Sequence, residues 1–190
     1  GDGAGTVAGA GEADAPALLL RQADIAMYKA KDAGRNTMRF FSAAMQLAVE
    51  THAALEADLR HAVPGGELHL HYQMQVDAQL RPIGAEALVR WIHPQRGLVS
   101  PLQFIGIAEE SSLILDIGGW VLDSACAQLA RWAGDSAMSQ LSVAVNVSAH
   151  QFHQPNFVDE VISILRKTGA RPERLKLELT ESMLAHDVEN

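Results

Sequence analysis

Three short stretches of this sequence pair an aliphatic parity with a parity that carries oxygen. In IGAEALVRWI, Ile83, Ala85, Ala87, Val89 and Trp91 alternate with Glu86, Leu88 and Arg90. In LSVAVNV, Val143, Val145 and Val147 oppose Ala144 and Asn146. In LKLELTE, Leu175, Leu177 and Leu179 oppose Lys176, Glu178 and Thr180. Successive side chains of a strand point to opposite faces, so each stretch can bury one parity under helices and present Glu86, Asn146 or Glu178 on the other. Two carboxylates and an amide oxygen are a hard donor set, better suited to Mg²⁺ or Mn²⁺ than to zinc. Arg90, two side chains beyond Glu86 on the same face, is placed to hold a phosphate. Periodicity alone leaves a second reading open, in which all three are ordinary solvent-facing polar residues.

The elements around these stretches bear on that choice. ELHLHYQMQV alternates Leu68, Leu70, Tyr72, Met74 and Val76 with polar residues, the pattern of a half-buried strand over 68–76. A short turn at 77–82 joins it to the strand at about 83–91, so these two are expected to run antiparallel. Helices are expected at about 101–111, 118–133 and 157–168, between strands at 83–91, 141–147 and 175–181. Strands alternating with helices imply βαβ units and a parallel sheet. If the sheet lines a barrel, Glu86, Asn146 and Glu178 point inward near the C-terminal ends of its strands, where barrel enzymes place their sites. Upstream, Asp14 and Pro16 open a helix that Gly34 stops, and a second helix runs from Ser42 to about Val63, ended by Pro64-Gly65-Gly66. Residues 1–15, rich in Gly and Ala, read as a flexible lead-in.

Composition bounds the function. The chain has 190 residues, 48% of them hydrophobic, and a net charge of −8, which argues against sequence-independent binding to a nucleic-acid polymer or an anionic membrane. Its one cysteine, Cys126, excludes an internal disulfide and fits a reducing, cytoplasmic compartment; its helical neighbours make it a buried structural thiol. No apolar run approaches the roughly 20 residues of a membrane helix. His69-x-His71 and His150-x-x-His153 read as polar-surface histidines, since no nearby Cys or HExxH pattern supports zinc. The chain begins at Gly1 without an initiator Met, as a piece of a longer protein would.

GAEALVRW (84–91) resembles the signature of the EAL domain, a bacterial phosphodiesterase family that hydrolyses cyclic di-GMP. His93-Pro94, Gly97, Pro101, Phe104-Ile105 and Ala108-Glu109-Glu110 resemble the family's next segment, VAVNVSAHQF (143–152) its third-strand motif and LKLELTES (175–182) its fourth. The resemblance implies an α/β fold, an incomplete (β/α)8 TIM-like barrel of about four strands, the first antiparallel, preceded by a helical tail. It implies Glu86, Asn146 and Glu178 as ligands of Mg²⁺ or Mn²⁺. Gln73, Leu88 and Arg90 become contacts to cyclic di-GMP, and Glu181 a support of a catalytic loop.

LLLRQADIAMYKAKDAGRNTMRFF (18–41) is similar to the last helix and strand of GGDEF domains, the cyclases that make cyclic di-GMP. Lys31 and Arg35 match phosphate-contacting positions there, but the GGDEF signature is absent, so this tail is not expected to be a cyclase. The expected organisation is a GGDEF-like remnant over 1–41, a helical linker over 42–54 and the N-terminal half of an EAL-like domain over 55–190. Met74, Gly106 and His150 depart from the family's usual Pro, Pro and Arg. The family's paired aspartates, lysine and later glutamates are expected beyond Asn190, and the lone Asp187 cannot replace them. The parent is therefore expected to hydrolyse cyclic di-GMP to the linear dinucleotide, and the 190 residues alone to be inactive and prone to dimerise. A non-catalytic cyclic di-GMP binding module is the alternative.

Overall fold

A computed structural model describes residues 22–28 and 43–179. Residues 22–28 are helical, within the helix expected to start at Asp14. The lead-in, Lys31, Arg35, Thr180, Glu181 and Asp187 lie outside the described residues. The chain divides after Ala54 into two units, and the site lies in the second, Leu55–Asn190.

The second unit is built on one sheet. Its strands are β1 (Leu68–Val76), β2 (Pro82–His93), β3 (Gly97–Val99), β4 (Ser142–Val147) and β5 (Leu175–Leu179). Their order is β1-β2-β4-β5, with β1 antiparallel to β2, and β4 and β5 parallel to it in turn. This is the sheet expected from the alternation of strands and helices. The short β3 was not expected; it folds back antiparallel on Trp91–His93. Gly97, its first residue, has φ of 69° and supplies the left-handed conformation that turns the chain back.

Helices cover one face. They are α1 (Ala43–Ala62), α2 (Pro101–Glu110), α3 (Leu113–Ala133), α4 (Ala149–Phe152) and α5 (Phe157–Thr168). Pro101 opens α2, where its missing N–H costs nothing. Asp159 and Glu160 in the first turn of α5 and Arg166 and Lys167 in its last complement the helix dipole, and Gly169 ends it in the left-handed conformation.

Two expectations about α3 need correction. It begins at Leu113, not near residue 118, so Gly118 and Gly119 lie inside it. Gly118 is there for close approach: a Cβ at this position would sit 1.8 Å from the Gln151 amide nitrogen. Second, α3 is 21 residues long and, by length and composition alone, apolar enough to cross a membrane. In the fold it is the central core helix, burying Ile117, Leu122, Ala125 and Leu129 while carrying Asp116, Asp123 and Arg131.

The core is the aliphatic parity of the strands. Ala87, Trp91, Val143, Val145 and Val147 are buried beneath Leu59, Phe104, Leu122 and Cys126. Trp91 meets Phe104 edge to face at 5.6 Å and donates from Nε1 to Glu67 Oε2 at 2.8 Å, satisfying its one polar atom. The leucine parity of β5 is less covered than expected. Leu175 packs on the core, but Leu177 and Leu179 are 39% and 46% exposed.

Cys126 is fully buried, as expected. Burial, with a smaller push from Asp123, raises its thiol to about 11. A thiol so disfavoured as thiolate reacts slowly. Folded chain should therefore resist a maleimide at pH 7.5 and take up one equivalent in denaturant; rapid labelling of the folded chain would contradict the packing.

Candidate functional site

The site face is the polar parity of the same strands, read row by row. In the antiparallel pair Gln73 stands opposite Glu86, His71 opposite Leu88 and His69 opposite Arg90. In the parallel pairs Glu86 is level with Ala144, Ala144 with Lys176, and Asn146 with Glu178. Level residues on neighbouring strands share a face about 4.8 Å apart. One face thus carries Gln73, Glu86, Leu88, Arg90, Asn146, Lys176 and Glu178, with Trp91 and the helices behind it. Every expected site residue within the described part falls on this face, and only Glu181 lies outside it.

Glu86 and Asn146 meet. Asn146 Nδ2 donates to Glu86 Oε1 at 2.7 Å, sixty residues apart in sequence. The geometry follows from the register: Asn146 lies one side chain beyond Ala144, which faces Glu86 and has only a methyl to put between them. Glu178 is brought beside Asn146 by the β4–β5 pairing. Arg90 Nη1 donates to the Val89 carbonyl at 2.8 Å, leaving the guanidinium's other N–H groups for a ligand. Among the described residues no three His, Cys, Asp or Glu side chains converge as a metal cluster.

A cavity of about 230 Å³ opens beside this row, lined among others by Leu88, Arg90, Glu109, Asn146, Ser148 and Gln151. Its floor is fixed by a capping box. The Ser148 hydroxyl accepts the Gln151 N–H, and Gln151 Oε1 accepts from the Ser148 N–H. Ser148→Ala should cost about 1 kcal/mol in denaturant unfolding. No loss, within error, would show that the box does not hold this turn.

The histidines of β1 lie on the polar surface, as expected, and the pairing adds what they stand beside. His69 and His71 are exposed, but they share the parity of Gln73 and so face the site, level with Arg90 and Leu88. Their parity and their neighbouring strand were legible from the alternation and the short turn; the register that sets them level with Arg90 and Leu88 was not. His150 and His153 are exposed as expected.

The EAL domain family model matches residues 56–190, well over half of the chain. The chain belongs to the EAL domain family. Glu86, Ala87 and Leu88 are the three residues for which the domain is named, and in this EAL domain the first and third face the site while Ala87 is buried behind them.

Curated relatives span more than this segment. The bifunctional diguanylate cyclase/cyclic di-GMP phosphodiesterase MucR of Pseudomonas aeruginosa is 45% identical over 172 residues, covering 90% of this chain and 25% of the relative. The cyclic di-GMP phosphodiesterase PdeR of Escherichia coli is 37% identical over 171 residues, covering 90% of this chain and 26% of the relative. The chain therefore spans about a quarter of the length of these relatives. Among solved structures, the PaMucR phosphodiesterase in complex with c-di-GMP superposes with a TM-score of 0.67 at 44% identity, covering 72% of this chain and 55% of that one. The FimX EAL domain of Xanthomonas citri with c-di-GMP gives 0.64 at 26% identity, covering 76% and 55%. Structural neighbours of this kind are EAL TIM-barrel domains, and the five strands described here form a partial sheet of that α/β fold.

Proposed function

We propose that this EAL domain binds cyclic di-GMP on the Glu86–Arg90 face and supplies one half of the site of a divalent-metal-dependent phosphodiesterase. The observation that carries the reading is the meeting of Glu86 and Asn146 across two strands, with Glu178 level with the amide. The donor set fits Mg²⁺ or Mn²⁺: Glu86, Asn146 and Glu178 offer oxygens from three adjacent strands, and the partly open face admits an ion. The Asn146 amide presently offers N–H to Glu86; turned over about its Cβ–Cγ bond, it offers Oδ1 instead. A bound divalent ion supplies a lower pKa for an attacking water and neutralises charge on the phosphoryl oxygens.

The chain's own residues do the rest of the recognition. Arg90 takes a phosphate oxygen through its free N–H groups, where a planar fork suits a phosphate edge. Gln73, level with Glu86, and Leu88, beside the cavity, contact the remainder of the dinucleotide. Glu181 supports a catalytic loop. The expected division also stands as a proposal: a GGDEF-like remnant over 1–41, a linker over 42–54 and the EAL segment over 55–190. It is supported by the MucR match, which runs over 172 residues and so extends well upstream of residue 56.

Since this chain covers 55% of the PaMucR phosphodiesterase structure, we place turnover in the longer protein and ligand binding in these 190 residues. Calorimetry with cyclic di-GMP should show binding to the 190-residue chain, weakened about tenfold or more in Arg90→Ala. The longer protein with Mn²⁺ should produce the linear dinucleotide. Binding without turnover there would establish the receptor reading instead, and no binding by either would remove the ligand assignment.

A further inference from the structure

The buried face of β2 carries a polar contact that its role in the core does not require. His93 is 6% exposed, and both ring nitrogens are engaged. Nδ1 accepts the backbone N–H groups of Gln95 and Arg96, each at 3.1 Å, closing the β2–β3 hairpin. A nitrogen that accepts two N–H groups carries no proton, so the proton sits on Nε2, which lies 3.2 Å from Asp58 Oδ2 on α1. Arg96 Nη2 reaches the same oxygen at 3.3 Å. Two residues back along β2, Trp91 contacts the His93 ring at 5.4 Å and is itself held by Glu67, just past α1. Two acidic groups from the α1–β1 segment thus grip two aromatic N–H donors at the C-terminal end of β2.

Arg90 is three residues away on the opposite face of the same strand. An apolar side chain at 93 would fill the space without fixing the hairpin to the helix, whereas the imidazole fixes both at once. We propose that His93 is a positioning residue: its ring ties α1 to the β2–β3 hairpin, and through this tie the helix that leads into the EAL domain sets where Arg90 stands. The proposal rests on the cyclic di-GMP reading for its ligand, but the tie itself does not need one. By linkage, whatever displaces α1 changes ligand affinity, and ligand binding changes the stability of α1 by the same factor.

Asparagine and glutamine separate the two ends of the ring. The Asn oxygen falls near the Nδ1 position and keeps the hairpin acceptor; the Gln amide nitrogen falls near Nε2 and keeps the donor to Asp58. Hydrogen exchange on the ligand-free 190-residue chain is the first arm. His93→Asn and Asp58→Ala should each speed exchange about tenfold in residues 55–62 and in 88–91, leaving 143–147 unchanged, while His93→Gln keeps 55–62 protected and loosens only the turn at 95–96. In the second arm, the dissociation constant for cyclic di-GMP should rise about tenfold in His93→Asn and Asp58→Ala and stay within about threefold in His93→Gln. A merely structural histidine would lower the melting temperature in all three and leave affinity alike, which overturns the proposal. So does unchanged exchange at 88–91 in Asp58→Ala. If the unsubstituted chain binds no cyclic di-GMP, the ligand reading falls, and the exchange arm still decides the tie.

Discussion

Glu86→Gln should lower cyclic di-GMP hydrolysis by the longer protein about 10³-fold or more while leaving ligand affinity within about threefold. The substitution is nearly isosteric. The Gln oxygen can still accept the Asn146 Nδ2–H that Glu86 accepts at 2.7 Å, so the β2–β4 contact and the fold survive. What is lost is one negative charge among the three donors, and a neutral amide is a far weaker partner for a divalent ion. Arg90 and Gln73 keep their places on the face, which is why binding is spared. Two readouts separate the causes: Mn²⁺ affinity followed by its electron paramagnetic resonance signal, and single-turnover formation of the linear dinucleotide. Loss of Mn²⁺ binding together with turnover supports the donor set. Full turnover in the Glu86→Gln protein would sink it, and intact Mn²⁺ binding with no turnover would move Glu86 from ion holding to another step.

Much of this face could be read before any coordinates. The strict alternation in IGAEALVRWI, LSVAVNV and LKLELTE separates buried from presented residues, and the strand–helix rhythm fixes the parallel order. The burial of Ala87, Trp91, Val143 and Val147 against the openness of Asn146 follows that parity, whereas in β5 both parities are open. What was not legible depends on contacts between distant residues. β3 is three residues long and exists because Trp91–His93 offers it an edge. Gly118 stands at the start of the helix expected over 118–133, yet it lies inside α3, where its missing side chain makes room for Gln151, thirty-three positions on. The tie between Asp58 and His93 leaves no local pattern at all. His69 and His71 show the intermediate case: parity was visible, but its meaning needed Arg90 and Leu88 as neighbours.

Gly84→Ala should destabilise the domain by about 2–3 kcal/mol and disturb the site at a distance. A Cβ on Gly84 would sit 2.6 Å from the Ser142 carbonyl oxygen, with the Ser142 carbonyl carbon at 3.3 Å and its nitrogen at 3.4 Å. These are backbone atoms of β4, the strand partner, so no side chain can turn aside to relieve the contact. The strands must separate instead, and they must do so one row below the pair that matters. Glu86 is level with Ala144, two residues along from the Gly84–Ser142 pair, and Asn146 follows at once. Spreading β2 from β4 there lengthens the 2.7 Å contact between Glu86 and Asn146, so ligand affinity and turnover should fall together with stability. Gly106→Ala is the control. Its Cβ would meet nothing within 4 Å, and the position lies inside α2 with no positive φ, so alanine should stabilise by about 0.5–1 kcal/mol. Urea unfolding of the two variants should therefore move in opposite directions from the parent midpoint. A neutral Gly84→Ala would mean that β2 and β4 are spaced by something other than this glycine, and the account of how Glu86 reaches Asn146 would fall with it.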